Sequence, residues 1–236
     1  MSGPVKRAQC ATIPSMPPLT VLHEDERLLV CAKPPNLLTV PPPGGSGEGE
    51  DTLAGRLLRE GHGRLFPVHR LDRETSGVVV LARDKEARDA LMDVFKRREV
   101  RKGYIAWVQG HPEPPHGVLR FPIKDLGVRA IVAPDGQPAE TRYQVKARLG
   151  PCARIEIDLL TGRHNQIRIH FCHIGHPLVG ERKYARGKDA TVRHKRAALH
   201  ASWLQLLHPF GGERVHVRAP VPQDLRNLEE RLRGHL

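Results

Sequence analysis

Apolar and polar positions alternate with a period of two along several stretches of the chain, and this alternation predicts β-strands. Residues 153–160 place Ile155, Ile157 and Leu159 on one side and charged side chains on the other, as a half-buried strand does. Residues 141–149 alternate in the same way, so we expect these two stretches to form an antiparallel pair. Alternating or short apolar runs predict further strands at residues 28–32, 78–82, 102–110, 198–207 and 214–219.

Apolar side chains at helical spacing predict helices at about residues 52–60, 84–98, 162–174 and 222–232. Asp51 and Asp84 stand where N-caps are expected, and Gly61 and Gly175 stand where the first and third helices should end. Strand candidates outnumber helices and several are joined by hairpin-length loops, which is typical of an α+β fold. We therefore predict an α+β domain whose mixed, largely antiparallel sheet is flanked by helices.

The segments between these elements suggest the domain boundaries. Residues 1–18 contain four prolines and little apolar periodicity, so we expect a flexible leader ahead of one domain that spans residues 19–236. Residues 41–47 are rich in proline and glycine, and we expect them to form a mobile loop or a substrate-facing flap. Residues 180–197 are basic and are expected to form a loop.

The chain carries 38 lysines and arginines against 26 aspartates and glutamates, which gives a formal charge of +12. Such an excess favours polyanionic partners such as nucleic acids and speeds their capture. The four cysteines are scattered without a C-x-x-C pair, which argues against a disulfide framework or a zinc ribbon and fits a reducing compartment. No apolar run reaches the ~20 residues of a membrane span, and the N-terminus lacks the apolar core of a signal peptide. We therefore expect a cytoplasmic protein with no membrane partner.

Charged side chains and hydroxyls are concentrated in residues 69–77, which read HRLDRETSG and directly precede the apolar run 78–82. Within this segment Asp72 is a carboxylate flanked by the arginines Arg70 and Arg73. A polar turn with local salt bridges would also explain such a composition. The order of the residues, however, resembles the catalytic signature of the RluA-type pseudouridine synthases residue for residue.

Further motifs extend this resemblance over about residues 20–228. They lie at residues 102–110, 160–163, 166–170, 174–181 and 198–201. One position departs from the family pattern, because Asn165 stands where members have the histidine of Gly-Arg-x-His-Gln-Ile-Arg. An asparagine also donates and accepts hydrogen bonds. The departure therefore leaves the role of Asn165 open but does not affect the match at Arg168.

The resemblance implies an enzyme that isomerises uridine to pseudouridine within RNA, with no cofactor and no metal. The N-glycosidic bond is cut, the uracil turns, and a carbon–carbon bond forms at C5. Asp72 matches the catalytic carboxylate, which would act as a nucleophile or would deprotonate the sugar. Arg168 matches the basic partner that keeps this carboxylate ionised, and Tyr104 matches the aromatic residue that stacks on the base and takes the C5 proton. On their own, Tyr104 would be assigned to the core and Arg168 to a helix surface.

The same resemblance implies the residues that bind the substrate. A base inside folded RNA reaches such a pocket only after it is flipped out, at a cost of a few kcal/mol, and Arg70 matches the arginine that fills the vacated space. The remaining basic residues would bind phosphates, which contributes affinity more than sequence choice. Besides Arg70, the predicted substrate-binding residues are His69, Arg73, Thr75, Arg163 and Gln166.

A histidine-rich stretch at residues 164–176, which also contains Cys172, superficially suggests a metal site. At helical spacing, however, His170, His173 and His176 advance by about 300° per step and fan around the axis. A zinc site needs ligands that converge. We therefore predict no metal site.

Two alternatives to an active synthase remain compatible with the sequence. A catalytically silent RNA-binding or ribosome-assembly protein would keep the fold, but it would not need Asp72, Tyr104 and Arg168 together. A glycosidase-like hydrolase normally uses two carboxylates, and Glu74 is a weak second candidate. Many members of the family carry an S4-type domain before the catalytic one, and only about 20 residues precede it here. We therefore expect no S4 domain, a compact tRNA or rRNA stem-loop as substrate, and a monomer.

Overall fold

The computed structural model describes residues 18–41, 51–185 and 191–234. Nearly all of the predicted leader and of the predicted proline–glycine loop lies outside these residues. The strands in the described part are β1 (Thr20–Glu24), β2 (Leu28–Lys33), β3 (Phe66–Pro67), β4 (Ser76–Ala82), β5 (Arg101–Gln109), β6 (His116–Arg120), β7 (Ile123–Asp125), β8 (Ala130–Val132), β9 (Glu140–Leu149), β10 (Cys152–Leu159), β11 (Leu199–Leu207) and β12 (Arg214–Arg218). The helices of the same part are α1 (Leu53–Arg59), α2 (Lys85–Lys96), α3 (Gln166–His173) and α4 (Gln223–Arg233). No helix within these ranges is long and apolar enough to cross a membrane.

Ten of the described strands form one mixed sheet, with the order β1-β2-β4-β11-β5-β10-β9-β6 along its main path. Off this path, β12 pairs with β11, and β3 pairs with β4. The paired strands run antiparallel except β4 and β11, which are parallel and pair Ser76 with His200 and Gly77 with Ala201. The predicted α+β fold with a mixed, largely antiparallel sheet is confirmed.

Apolar side chains lie on both faces of the sheet, as the alternation along β5 illustrates. Tyr104, Ala106 and Val108 belong to the larger core, against which α1 and α3 pack. Ile105 and Trp107 face the other side, where α4 packs, and a further apolar cluster joins α2 to β2 and β4. Because both faces are covered, central strands such as β4 are continuous apolar runs.

The start of α3 differs from the sequence prediction. The helix begins at Gln166 instead of residue 162, because the four preceding residues form a turn in which Asn165 has left-handed backbone angles (φ 54°). Asparagine tolerates this conformation better than most residues. The side chain of Gln166 accepts a hydrogen bond from the Arg163 N–H at 3.0 Å and so stabilises the turn.

The first helix is also capped differently from the prediction. Thr52, not Asp51, caps α1, and its hydroxyl accepts a hydrogen bond from the Gly55 N–H at 3.2 Å. Asp51 instead forms an ion pair with Arg56. The predicted cap of α2 is confirmed, because the Asp84 carboxylate accepts the N–H three residues later at 2.8 Å.

Several short strands are not evident from the sequence. The strands β7 and β8 lie between β6 and β9, in a stretch for which the alternation predicts no strand, and they form a separate two-stranded hairpin. Each spans three residues, which is too few for a period of two to be recognised. The hairpin matters for function because its turn borders the cleft described below.

Gly77 explains why the motif of residues 69–77 ends in glycine. Its φ of 124° lies in a region that other residues rarely adopt, and a Cβ atom at this position would come within 2.1 Å of the Ala201 carbonyl oxygen. The parallel pairing of β4 with β11 therefore requires glycine here. This pairing brings the motif to the middle of the sheet.

Candidate active site

A cleft of about 1020 Å³ lies where the motif of residues 69–77 leads into β4. It is bordered by the motif, the first half of β5, the end of α2 and the turn into α3. The predicted catalytic residues Asp72, Tyr104 and Arg168 all line it. The lining contains two carboxylates, Asp72 and Asp125, and six cationic side chains, which are Arg70, Lys96, Arg98, Lys102, Arg163 and Arg168. A cleft with this excess of cationic side chains suits a polyanionic substrate.

A buried lysine supports the loop that carries Asp72. Lys33, at the end of β2, is 1% exposed. Its ammonium group donates hydrogen bonds of 3.0, 2.8 and 3.1 Å to the backbone carbonyls of Pro34, Leu37 and Arg73. Burial lowers the pKa of Lys33 to about 7, and the charge of Asp72 partly opposes this shift. The backbone next to Asp72 is therefore tied to a central strand of the sheet.

Arg196 fastens the other end of the motif. The side chain is 2% exposed, and its guanidinium donates to Asp224 at 2.7 Å, to the Glu74 carbonyl at 3.0 Å and to the Ser76 hydroxyl at 3.2 Å. Burial alone would raise the pKa of Asp224, but the nearby His194 ring and the hydrogen-bonded Arg196 guanidinium lower it overall. Arg196 thereby joins the motif to the start of α4.

Arg168 lies between two carboxylates. It donates to both oxygens of Glu181, at 2.6 Å from Nε and 2.8 Å from Nη2, and its Nη1 lies 3.8 Å from Oδ2 of Asp72. The Glu181 side chain is fully buried, whereas that of Asp72 is 30% exposed. Burial alone would raise the pKa of Glu181, but the hydrogen bonds and charge of Arg168 lower it overall. Glu181 thus fixes Arg168, which presents its remaining nitrogen to Asp72.

Asn165 also contacts the Asp72 carboxylate. Its amide group lies 2.6 Å from Oδ2 of Asp72, and the amide nitrogen faces that oxygen because the reverse orientation would oppose two acceptors. In this orientation the amide oxygen accepts hydrogen bonds from the Tyr184 hydroxyl at 2.8 Å and from Nε2 of His164 at 3.0 Å. His164 in turn lies 3.1 Å from Asp125. The residue that departs from the family pattern therefore donates a hydrogen bond to the candidate catalytic carboxylate.

Tyr104 occupies a core position and also lines the cleft. It is 8% exposed and belongs to the larger core. Burial raises the pKa of its hydroxyl, and the negative charge of Asp72 raises it further. Tyr104 is therefore a neutral phenol at physiological pH. A neutral aromatic ring in a basic cleft can stack on a nucleic-acid base.

Most of the predicted substrate-binding residues border the cleft, namely His69, Arg70, Thr75, Arg163 and Gln166. Arg73 is not part of the cleft lining. It is exposed and lies 3.5 Å from the Asn36 carbonyl oxygen. Arg70 is exposed, so its guanidinium is accessible to RNA.

Two of the lining residues are already engaged by the fold. The amide of Gln166 makes hydrogen bonds with the Thr161 and Thr141 hydroxyls. It also accepts from the Arg163 N–H and donates to the Glu140 carbonyl. His69 accepts the Val80 N–H at Nε2, at 3.1 Å, and stacks on Phe95 with 4.8 Å between ring centroids. Burial lowers the pKa of His69 to about 3. Its ring is neutral, so it shapes the cleft without adding a charge.

The histidines discussed above do not converge in the structure. His170 contacts the Phe121 carbonyl and His176 contacts the Gln109 carbonyl, each at 2.9 Å. Among residues 18–41, 51–185 and 191–234, no group of three or more histidine, cysteine, aspartate or glutamate side chains is placed to hold a metal ion.

Sequence reasoning misses four residues that organise the site: Lys33, Glu181, Tyr184 and Arg196. Glu181 ends one of the matched motifs, and Lys33 is a charged residue that closes an apolar strand, so both carried a signal. Tyr184 and Arg196 lie in the stretch predicted as a basic loop, where no periodicity marks a buried position.

Comparison with known proteins is consistent with this geometry. A family model described as RNA pseudouridylate synthase matches residues 27–173. The dual-specificity RNA pseudouridine synthase RluA of Escherichia coli K12 is 36% identical over 213 residues, which cover 88% of this chain and 95% of that protein. The ribosomal large subunit pseudouridine synthase D of Xanthomonas campestris is 37% identical, with 97% of this chain and 74% of that protein covered. The solved structure of human RNA pseudouridylate synthase domain containing 4 superposes with a TM-score of 0.74 at 26% identity, covering 91% of this chain and 93% of that one.

These matches define the class of the protein as an RNA-modifying isomerase. The chain belongs to the RluA-type family of RNA pseudouridine synthases, which confirms the resemblance seen in its motifs. As a member of this family it is an enzyme that isomerises uridine to pseudouridine in RNA. A catalytically silent RNA-binding protein is not favoured.

Proposed function

We propose that Asp72 is the carboxylate that acts on the ribose of the target uridine. The observation that carries this proposal is the surroundings of its oxygens, with the Asn165 amide at 2.6 Å and the Arg168 guanidinium at 3.8 Å. The amide donates a hydrogen bond to the carboxylate, and the guanidinium places a positive charge beside it. The side chain is 30% exposed, so a substrate can reach it. An oriented and accessible carboxylate is what attack on the sugar, or its deprotonation, requires.

The reaction exchanges one bond of the base for another, so it needs no outside electron or group. The C1′–N1 bond breaks, the uracil turns, and C5 bonds to C1′ while C5 loses a proton and N1 gains one. We assign the C5 proton to Tyr104. Because Tyr104 is a neutral phenol, it accepts this proton only while passing its own proton on. We propose that the Asp72 carboxylate, which is free again once the C5–C1′ bond has formed, receives that proton. A proton then passes from Asp72 to N1, directly or through water, which restores the carboxylate.

We further propose that the substrate is a stem-loop of tRNA or rRNA, with the target uridine flipped into the cleft. One of the relatives above is named for dual specificity towards RNA and another for the large ribosomal subunit, which supports structured RNA as the substrate class. Arg70 is exposed two positions before Asp72, where it can occupy the space that the base leaves. The enzyme is expected to act as a cytoplasmic monomer without a cofactor or a metal.

Tritium release from RNA labelled at C5 of uridine tests this function. Wild-type enzyme is expected to release tritium from RNA of cells that lack the gene, and pseudouridine mapping of the same RNA should reveal a small set of modified positions. Absence of release from every cellular RNA fraction would contradict the proposed activity. Release from free uridine or from unstructured RNA alone would contradict the stem-loop substrate.

Replacing Tyr104 with phenylalanine should separate binding from proton transfer. The ring is kept and the hydroxyl is lost, so RNA affinity should be unchanged while tritium release falls by about 10²–10⁴-fold, the usual contribution of a general base. Tyr143→Phe is a matched control, because its hydroxyl donates to the Pro114 carbonyl at 2.8 Å outside the cleft lining. Equal release rates for Tyr104→Phe and wild type would show that the hydroxyl takes no part.

Asn165 is expected to act as a positioning residue for Asp72. Two substitutions test this role, one that keeps a hydrogen-bond donor at position 165 and one that replaces the donor with a carboxylate. Asn165→His should keep a substantial part of the activity, since a histidine ring also donates a hydrogen bond and tolerates the left-handed backbone. Asn165→Asp places a second carboxylate 2.6 Å from the Asp72 oxygen, and two like charges so close cannot both ionise. The rising limb of its pH–rate profile should therefore move to higher pH. On the acidic side, activity should fall roughly tenfold for each pH unit by which the limb moves.

The exposed side chain of Asn227 in α4 offers the control. Asn227→Asp changes the net charge by the same amount and should leave the pH–rate profile unchanged. If Asn165→Asp kept the wild-type profile while Asn165→His was inactive, donation to Asp72 would not be the role of this amide.

A further inference from the structure

Lys102 is a cationic residue of the cleft whose charge is not paired within the part of the chain that the structure describes. It lies on β5, two residues before Tyr104 and on the same face, and it is partly buried. Within residues 18–41, 51–185 and 191–234, its ammonium group makes no hydrogen bond and no ion pair. Its neighbours are the Phe95 ring, with 5.8 Å from Nζ to the centroid, and Gly162, where a Cβ atom would lie 3.4 Å from Nζ.

The other buried cations around the cleft are all paired. Lys33 donates to three carbonyls, Arg168 binds Glu181, and Arg196 binds Asp224. A partly buried ammonium without such partners costs free energy, because it loses water without gaining an acceptor. In agreement with this cost, burial lowers the pKa of Lys102. Such a residue is expected where a ligand supplies the missing acceptor.

We propose that Lys102 binds a phosphate group of the RNA, next to the nucleotide that lies at Tyr104. This inference rests on the proposed function, since it assumes that the target uridine occupies the cleft. A phosphate is the anionic group of RNA, and a compact ammonium on a flexible stem suits it as a point-charge partner. Lys102 and Tyr104 are separated by about 6.6 Å along the strand, so one nucleotide can contact both.

The position of Lys102 also fits a path for the RNA strand. The cations Lys96 and Arg98 at the end of α2 are exposed at the rim of the cleft, whereas Lys102 lies deeper, on the way to Tyr104 and Asp72. The rim cations can follow the backbone of any bound RNA. Lys102 would instead hold the phosphate beside the flipped nucleotide, which adds to the alignment of the sugar with Asp72.

Lys102→Met tests the proposal, because methionine fills the same space without a charge. Its melting temperature should equal or exceed that of wild type, since an unpaired buried cation is removed. The initial rate at limiting RNA should fall by about 10–100-fold, as expected when one substrate-positioning contact is lost. Lys85→Met is the matched control, because Lys85 is exposed at the far end of α2, and it should leave stability and rate unchanged.

The phosphate is located with a synthetic RNA stem-loop that carries the mapped target uridine. Single methylphosphonates, which lack the negative charge, are placed in turn at each phosphate near that uridine. Wild type should lose rate at one phosphate that adjoins the target, and Lys102→Met should be insensitive at that phosphate only. The salt dependence of binding should also weaken by about one phosphate contact, a change of ~0.7–0.9 in the slope of log K against log salt.

These measurements separate the inference from the proposed function. Tritium release by wild type on the same stem-loop establishes the activity before Lys102 is changed, and the salt slope is a binding measurement that needs no turnover. A Lys102→Met protein that is less stable than wild type would indicate a structural partner and would overturn the proposal. Equal methylphosphonate sensitivity in wild type and variant at every position, or an unchanged salt slope, would also overturn it.

Discussion

Asp72→Asn is expected to abolish turnover while the protein folds and binds RNA as wild type does. The substitution keeps the size and reach of the side chain, and an amide can still bond with the neighbouring Asn165 and Arg168. It removes the negative charge and most of the nucleophilicity, so tritium release should fall on the order of 10³-fold or more. RNA affinity should persist, because the phosphate contacts of the cleft set it.

A second carboxylate of the same loop provides the control for Asp72→Asn. Glu74 lies two residues further on, does not line the cleft, and accepts the Ala197 N–H at 3.4 Å. Glu74→Gln should keep tritium release near the wild-type level. If Asp72→Asn released tritium at the wild-type rate, Asp72 would not be the catalyst. If Glu74→Gln were the inactive variant, the two-carboxylate chemistry of a hydrolase would have to be reconsidered.

Arg168→Met is expected to lose both stability and activity. Glu181 is fully buried and would be left without its cation, a loss that typically destabilises a protein by about 3–5 kcal/mol. Asp72 would lose the positive charge that lies 3.8 Å from its Oδ2 and helps to hold the carboxylate in place for catalysis. Chemical denaturation and tritium release, measured on the same preparation, should both show large losses.

A double variant separates the two roles of Arg168. Arg168→Met combined with Glu181→Leu replaces the buried ion pair with apolar side chains, and such replacements are often neutral or stabilising. Stability should return towards the wild-type value while tritium release stays low. Recovery of activity together with stability would show that Arg168 matters only as a structural residue.

The pair of Arg168 and Glu181 also predicts how stability depends on pH. Because the pKa of Glu181 is lowered in the folded state, the pair contributes stability above the unfolded pKa of about 4.3. This contribution is lost as the pH falls through the lowered folded-state pKa. The double variant lacks this carboxylate and should therefore lose less stability than wild type between neutral and acidic pH.

The sequence predicts much of the sheet because its strands alternate clearly. The antiparallel pair β9–β10 and the neighbouring strands β11 and β12 follow from alternation and short connections, and the apolar run in β4 follows from burial on both faces. Strands of two or three residues, such as β3, β7 and β8, carry no such signal. They form because neighbouring strands or turns provide their hydrogen-bonding partners.

The site is predictable only in part, because a sequence motif identifies a functional residue but does not show which side chains the fold places beside it. The motif of residues 69–77 points to Asp72, and the matched motifs point to Tyr104 and Arg168. The role of Asn165 depends on its left-handed backbone conformation in the turn directly before α3. The sequence predicts a helix over residues 162–174, so this turn is not expected from the sequence. Glu181, the partner of Arg168, lies 13 positions later in the chain, beyond the end of α3. The matched motif that contains Glu181 marks it as important but does not indicate that the two side chains meet.

The position of β11 between β4 and β5 determines when, during synthesis on the ribosome, this enzyme can become active. Ser76 meets His200, which follows it 124 positions later in the chain, so the centre of the sheet closes only when most of the protein has been made. Such long-range pairing slows folding, since chain entropy is lost before the contacts form. Until then the edges of β4 and β5 are unpaired and prone to association with other chains. A chain that stops before residue 199 therefore lacks the strand that completes the cleft, and we expect it to be a substrate for chaperones and proteases, not a weaker enzyme.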